Sequence, residues 1–211
     1  MDEIPIFPLP NAVFFPRTML PLRIFEPRYR KMVEDVLEGD GRIGIVLSRS
    51  ETGEGMISPI GVVGTIAEIK EREDGDYDIL LNGVSRFRIL RMVAEEPYRR
   101  AVVEPLREVY EERDEDAESA AELIDRFRRL IGEERITRQE YAALAEAGFP
   151  TLVNSLCAAI QIDLEDKQTL LEIDNVSERA EAILAVVRQL SAQKEFVDSF
   201  AHLRPKDPTD N

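Results

Sequence analysis

The chain is poor in the residues that most protein chemistry uses. Its 211 residues include one cysteine, one histidine and no tryptophan. A lone Cys157 excludes a disulfide framework within the chain and suits a reducing compartment. Placed in the apolar stretch Leu156–Ile160, it reads as a small core residue. His202, the single histidine, lies in a C-terminal stretch with Pro205 and Pro208 that reads as a disordered tail, 201–211. A serine or cysteine triad would have to take its base from that tail, and zinc would lack ligands. Lysine is scarce too: Lys31, Lys70, Lys167, Lys194 and Lys206 follow Arg, Ile, Asp, Gln and Pro. A phosphate-binding loop needs its lysine directly after glycine, so no such loop is present. Apolar runs are short, as in Ala182–Val187, far below the ~20 residues of a membrane span. The start, Met1-Asp2-Glu3, carries no basic leader region. Together these absences predict a cytoplasmic protein with no membrane contact, no metal and no cofactor.

What is present is a globular balance, with 44% hydrophobic and 33% charged residues. The net charge is −15. It is uneven: fourteen basic residues face eighteen acidic ones through residue 105, and thirteen face twenty-four from 106 onward. Such a field repels nucleic acid and anionic membranes on average. The acidic excess reads as a solubilising helical surface, with a basic client or partner as the alternative.

The stretch Ile4–Tyr29 carries six prolines (Pro5, Pro8, Pro10, Pro16, Pro21, Pro27) and four phenylalanines (Phe7, Phe14, Phe15, Phe25). Proline lacks an N–H and clashes with the preceding turn, so a helix is excluded. Two strands, Ile4–Phe7 and Thr18–Ile24, are predicted instead, with a helix opening at Pro27 and stopping at Gly39. Strands are then predicted over Arg42–Ser48, Gly61–Lys70, Tyr77–Asn82, Val84–Met92 and Tyr98–Tyr110, with Glu73-Asp74-Gly75-Asp76 as a hairpin turn. The spelling Gly39-Asp40-Gly41-Arg42-Ile43-Gly44 follows a helix and opens a strand, the reverse of a dinucleotide fingerprint, and reads as a loop. Short connections imply a mixed or antiparallel sheet curled into a partial barrel.

From Glu111 to Glu118 the chain is almost wholly charged, and behind it the period becomes helical. This run divides a β-rich lobe, 1–110, from a helical lobe, 111–200. Five amphipathic helices are predicted there. They include one on the face Leu123, Ile124, Phe127, Leu130 and Ile131, and one capped by Thr137 with Glu140. A third buries Leu152, Val153, Leu156 and Cys157, a fourth is capped by Asp163, and the last runs from Ser177 to Phe200.

Five motifs stand in one order: Pro5-Ile6-Phe7-Pro8-Leu9; Phe15-Pro16 leading to Leu20-Pro21-Leu22-Arg23-Ile24-Phe25-Glu26-Pro27-Arg28-Tyr29; Ile43-Gly44-Ile45-Val46; Val63-Gly64-Thr65; and Gly83-Val84-Ser85-Arg86-Phe87-Arg88. In this the chain resembles the N-terminal, substrate-binding domain of the Lon protease family over about residues 4–195, with Arg23 where many relatives carry histidine. The resemblance implies an α+β fold: an N-terminal β-rich PUA-like partial barrel with one short helix, then a helical bundle. It also implies binding of unfolded or degron-bearing polypeptides. Nothing resembling the family's AAA+ ATPase module or Ser-Lys peptidase segment is present, so a non-catalytic module is expected. Adaptor to an ATP-dependent protease and competitor for its clients are both open at this point.

Candidate peptide-binding residues are Phe14, Phe15, Met19, Arg23 and Phe25. Phe14, Phe15 and Met19 either plug the barrel or form an exposed apolar patch. Arg23, Glu26, Arg28 and Arg30 either orient a ligand carboxylate or, for Glu26 and Arg28, tie the first helix to the sheet. Asp74, Asp76 and Asp78 read as solvated turn residues rather than a cation site. Two other functions stay open, a small-molecule-responsive regulator with a pocket in the β lobe and an RNA-binding PUA-like protein. The apolar face of the last helix is a candidate for pairing with a second copy or an ATPase partner.

Overall fold

Six strands and one helix fill the first half: β1 (Asp2–Leu9), β2 (Met19–Ile24), α1 (Pro27–Glu38), β3 (Arg42–Ser48), β4 (Ile57–Glu71), β5 (Tyr77–Ala94) and β6 (Arg100–Leu106). Among the described residues four helices follow, α2 (Asp116–Ile131), α3 (Phe149–Ala159), α4 (Leu164–Glu172) and α5 (Val176–Ser199). This computed structural model describes residues 2–50, 55–132, 143, 144 and 146–199. The helix expected behind Thr137 and Glu140, and the C-terminal tail, lie outside the described residues.

The strand order is β2-β5-β4-β3-β1-β6, and β6 pairs again with β5. Five strands therefore close into a ring, and β2 is added outside it on the first half of β5. The sheet is mixed. β1 runs parallel to β3, Ile6 opposite Gly44, while every other ladder is antiparallel. A parallel neighbour requires a crossover, and β2 with α1 supplies it.

The two strands expected over Tyr77–Asn82 and Val84–Met92 are one strand of 18 residues. Its first part pairs with β2 and its second with β6. Register shifts at Ile89/Arg91 and Met92/Ala94 let it curl from one partner to the next. The hairpin turn forms as expected. Arg72 N–H donates to Asp76 O at 2.9 Å, and Gly75 takes φ 79°, which an L side chain resists. The end of α1 differs in detail, since the positive φ falls at Gly41, 73°, while Gly39 stays at −103°.

Two apolar clusters hold the fold. The smaller, Ile4, Ile6, Val46, Val63, Phe87, Ala101 and Val103, fills the ring. The larger runs from Phe7, Phe14 and Phe15 through Met32 and Val33 of α1 to Leu123, Phe127, Leu152, Ile183 and Val187 of the helices. Strand and helix residues thus share one core. Each such side chain, fully buried, is worth roughly 1.5–3 kcal/mol in transfer terms.

Candidate functional site

The five candidate residues do not share one environment. Phe14 and Phe15 are 4% and 0% exposed and belong to the larger core, so an exposed patch formed by them is ruled out. The sequence around them dictates this. Glycines on β4 and β5 leave room for both: a Cβ on Gly64 would stand 3.2 Å from the Phe14 ring, and one on Gly83 would stand 2.4 Å from the Phe15 carbonyl oxygen. Phe15 O also accepts from Thr18 Oγ1 at 2.7 Å, which turns the chain into β2.

Met19 and Phe25, in contrast, are 50% and 62% exposed. They bracket β2, whose side chains alternate: Leu20, Leu22 and Ile24 turn inward, and Met19, Pro21 and Arg23 outward. Since β2 is the terminal strand of the sheet, Pro21 stands where a sheet tolerates a residue without an N–H. Opposite on β5 stand Asn82, Leu80 and Asp78. Met19, Pro21 and Phe25 are thus an apolar row along an open strand.

Arg23 lies in this row, but its charge is engaged. It reaches Asp76 at 2.9 Å and Asp74 at 3.4 Å, pinning the hairpin turn to β2. Asp78 pairs with Arg72 at 2.7 Å. The three aspartates are therefore arginine partners, and among the described residues no group of three or more His, Cys, Asp or Glu could hold a metal. Glu26 and Arg28 pair with each other at 2.8 Å. The helix is anchored by Arg30 Nη1, which donates to Gly75 O at 3.4 Å, and by Tyr98, which donates to Asp35 at 2.8 Å. Hydrogen bonds from Lys31 and Tyr98 hold the Asp35 carboxyl below its ordinary range, while burial and the same bond push the Tyr98 hydroxyl up.

A second polar constellation, missed in the sequence, joins strands to helices. Arg86 and Arg179 are both 0% exposed. Arg86 donates to Leu171 O at 3.0 Å, Arg107 O at 3.2 Å and Asp174 Oδ1 at 2.7 Å. Arg179 donates to Glu108 Oε1 at 2.7 Å, Asn154 Oδ1 at 2.5 Å and Ile173 O at 2.5 Å. Glu108 also receives Arg17 from the β1–β2 loop. Burial would raise the Glu108 carboxyl, but Arg179, Asn154 and Arg17 outweigh it and hold the carboxyl below its ordinary range. Beside them the backbone joins too, Val109 bridging Asn175. Arg86 was visible as part of the Gly83–Arg88 motif; Arg179 could have been found as a charge on the inward face of Val176, Ala180, Ile183 and Val187.

A cavity of about 620 Å³ lies between α5 and the loop joining α3 to α4, lined by Asn11, Gln161, Asp163, Lys167 and Gln189. Its lining comes mainly from the helical half, with Asn11 contributed by the β1–β2 loop. Asp163 stands at the start of α4 without a side-chain cap; its carbonyl takes the Lys167 N–H at 3.0 Å. Lys167 Nζ donates to Ala158 O at 2.7 Å. No described helix is long and apolar enough to cross a membrane.

Comparison with known proteins gives this geometry a family. A crystal structure of a Lon N-terminal domain protein from Xanthomonas campestris superposes with a TM-score of 0.68 at 23% identity, covering 88% of this chain and 98% of that one. The N-terminal domain of the Mycobacterium avium complex Lon protease gives 0.69 at 17% identity, covering 90% and 98%. Among full-length proteins, Lon protease 2 of Sorangium cellulosum is 32% identical over 201 residues, 90% of this chain and 25% of the relative. The Lon protease of Flavobacterium johnsoniae is 30% identical, over 84% of this chain and 23% of its own. The chain thus spans about a quarter of the length of these relatives. The family model of the ATP-dependent protease La (LON) substrate-binding domain matches residues 3–189, and the chain belongs to that family.

Proposed function

We propose that this chain is a non-catalytic polypeptide-binding module that takes unfolded or degron-bearing segments along the outer face of β2. The observation that carries the reading is the exposure of Met19 and Phe25, 50% and 62%, at the two ends of the sheet's open strand. Exposed apolar side chains grouped in this way mark contact surfaces on globular proteins. An extended segment can add to an open edge, main-chain bonds giving affinity and alternate side chains giving selectivity. Phe14 and Phe15 share the core with Ile24 of β2, and Arg23 holds the hairpin turn beside it.

In this reading the module serves protein quality control in the cytoplasm, as an adaptor or regulator beside an ATP-dependent protease, without nucleic acid or membrane. The ring of five strands is read as PUA-like, with residues 1–110 and 111–200 as two lobes and 201–211 as a tail.

Fluorescence anisotropy with labelled unfolded-protein segments tests this. Segments rich in apolar residues are expected to bind, and Met19→Ser with Phe25→Ser to weaken them at least about tenfold, since each buried apolar contact contributes roughly 1 kcal/mol or more. Both sites are exposed, so thermal unfolding should be unchanged. Binding that survives the double substitution moves the client surface elsewhere.

A further inference from the structure

The outer wall of the β5–β6 ladder carries a feature that the β2 surface does not use. Phe87 is fully buried inside the ring, and Ile89 and Met92 pack against the same interior. Alternation therefore turns Arg88 outward, and the register shift between Ile89 and Arg91 leaves both Leu90 and Arg91 exposed. Leu90 is 43% and Val93 42% exposed. On β6, Val102 stands opposite Arg91 and the exposed Glu104 opposite Arg88.

The charges on this wall are unspent. Arg86 is bound to Asp174, Arg99 to Glu95 and Arg100 to Glu3. Among the described residues Arg88 and Arg91 make no ion pair, although the chain carries a net charge of −15. Two guanidinium forks without an ion pair, three residues apart and roughly 10 Å along the strand, thus flank an apolar step, with Glu104 across the ladder from Arg88 and no acidic residue opposite Arg91. A guanidinium fork matches a carboxylate in a bidentate fashion, and leucine and valine match aliphatic side chains. From Asn82, opposite Met19, to Leu90 is eight residues, about 26 Å along β5, so this wall is separate from the β2 row.

We infer that the β5–β6 wall, through Arg88, Leu90, Arg91 and Val93, docks a polypeptide segment in which acidic residues alternate with apolar ones. The protein's overall field, from a net charge of −15, disfavours a long polyanion such as a nucleic acid more than a short acidic segment. The field is screened beyond one Debye length, about 8 Å at physiological salt, and a short segment carries few charges outside the reach of the two arginines.

The test uses a fluorescein-labelled peptide alternating glutamate with leucine, a matched lysine–leucine peptide and a single-stranded RNA oligonucleotide, each titrated with the whole chain. The glutamate–leucine peptide is expected to bind, to weaken with added salt, and to lose roughly tenfold in R88E/R91E, two charge reversals at exposed pairs. R88Q/R91Q, with charge removed rather than reversed, should fall between. M19S/F25S should leave this binding unchanged while weakening apolar client segments, which separates the two surfaces. No binding of the glutamate–leucine peptide, equal affinity for the lysine–leucine peptide, tighter binding of RNA, or binding indifferent to R88E/R91E would each overturn the inference.

Discussion

Arg179 on α5 and Glu108 beyond β6 meet at 2.7 Å with side chains 0% and 11% exposed, so the helices are held to the strands by a charge pair almost out of water. Two charges are expensive to desolvate, and their attraction offsets that cost only when the remaining hydrogen-bonding capacity is also met. Here Asn154 and the Ile173 carbonyl meet most of that capacity on the Arg179 side, Nε being left without a partner among the described residues, and Asn154 and Arg17 meet it on the Glu108 side.

Removing one partner should therefore cost more than removing both. Glu108→Ala leaves the Arg179 cation buried without its carboxylate and is expected to destabilise the fold by about 3–5 kcal/mol. The double change E108L/R179M, which substitutes apolar groups on both sides, should recover a large part of that loss. A double-mutant cycle from urea unfolding measures it. Additive single losses would show that the two side chains do not act as a pair.

The same pair sets an acid limit. Glu108 has its carboxyl held below its ordinary value of 4.5 in the folded state. A group with a depressed folded pKa binds fewer protons when folded, so its stabilisation is full above the unfolded pKa and lost as pH falls through the folded one. Stability should therefore fall on acidification below about pH 4.5, and E108Q should flatten that part of the curve relative to the parent. Urea midpoints measured from pH 6 to pH 3 test it, and identical slopes for the two proteins would refute it.

Gly83 and Gly64 separate backbone from side-chain obstruction. At Gly83 the added Cβ meets the Phe15 carbonyl oxygen at 2.4 Å, an atom fixed by the turn into β2. At Gly64 it meets the Phe14 ring at 3.2 Å, which can shift by a few tenths of an ångström. Gly83→Ala should cost about 3 kcal/mol and Gly64→Ala about 1 kcal/mol, within the range of overpacked cores. Thermal melts give the order directly.

These contrasts show how far the residues could be read. Period and turn chemistry located each described element, because a strand such as Arg42–Ser48 and the Asp74-Gly75 turn are local properties. The break imagined between Tyr77–Asn82 and Val84–Met92 was an error of the same local kind: Gly83 looks like a strand end. It is glycine because Phe15 approaches from another part of the chain. Burial of Phe14 and Phe15 was equally hidden, since composition alone cannot say which apolar residues of a loop fold inward. Met19 and Phe25 flank a strand that became terminal only through the long-range order of the sheet. Glu108 and Arg179, 71 residues apart, offered no local signal for their partnership. Arg88 and Arg91 looked like ordinary strand arginines until their neighbours' partners were known.

Cys157 tests the shared core as a whole. It is 0% exposed within α3, and burial pushes its thiol up to about 12, so thiolate at neutral pH is negligible and no reagent can reach it. Ellman's reagent should leave the folded protein untouched and react fully in denaturant. Because Cys157 packs in the cluster that also holds Phe15 and Val187, its exposure requires the helices and strands to part. Reaction should then track global unfolding, with the rate at low denaturant following the population of the open state. Labelling that outpaces unfolding seen by circular dichroism would mean the helices open on their own, and that the Glu108–Arg179 joint does not couple them to the strands.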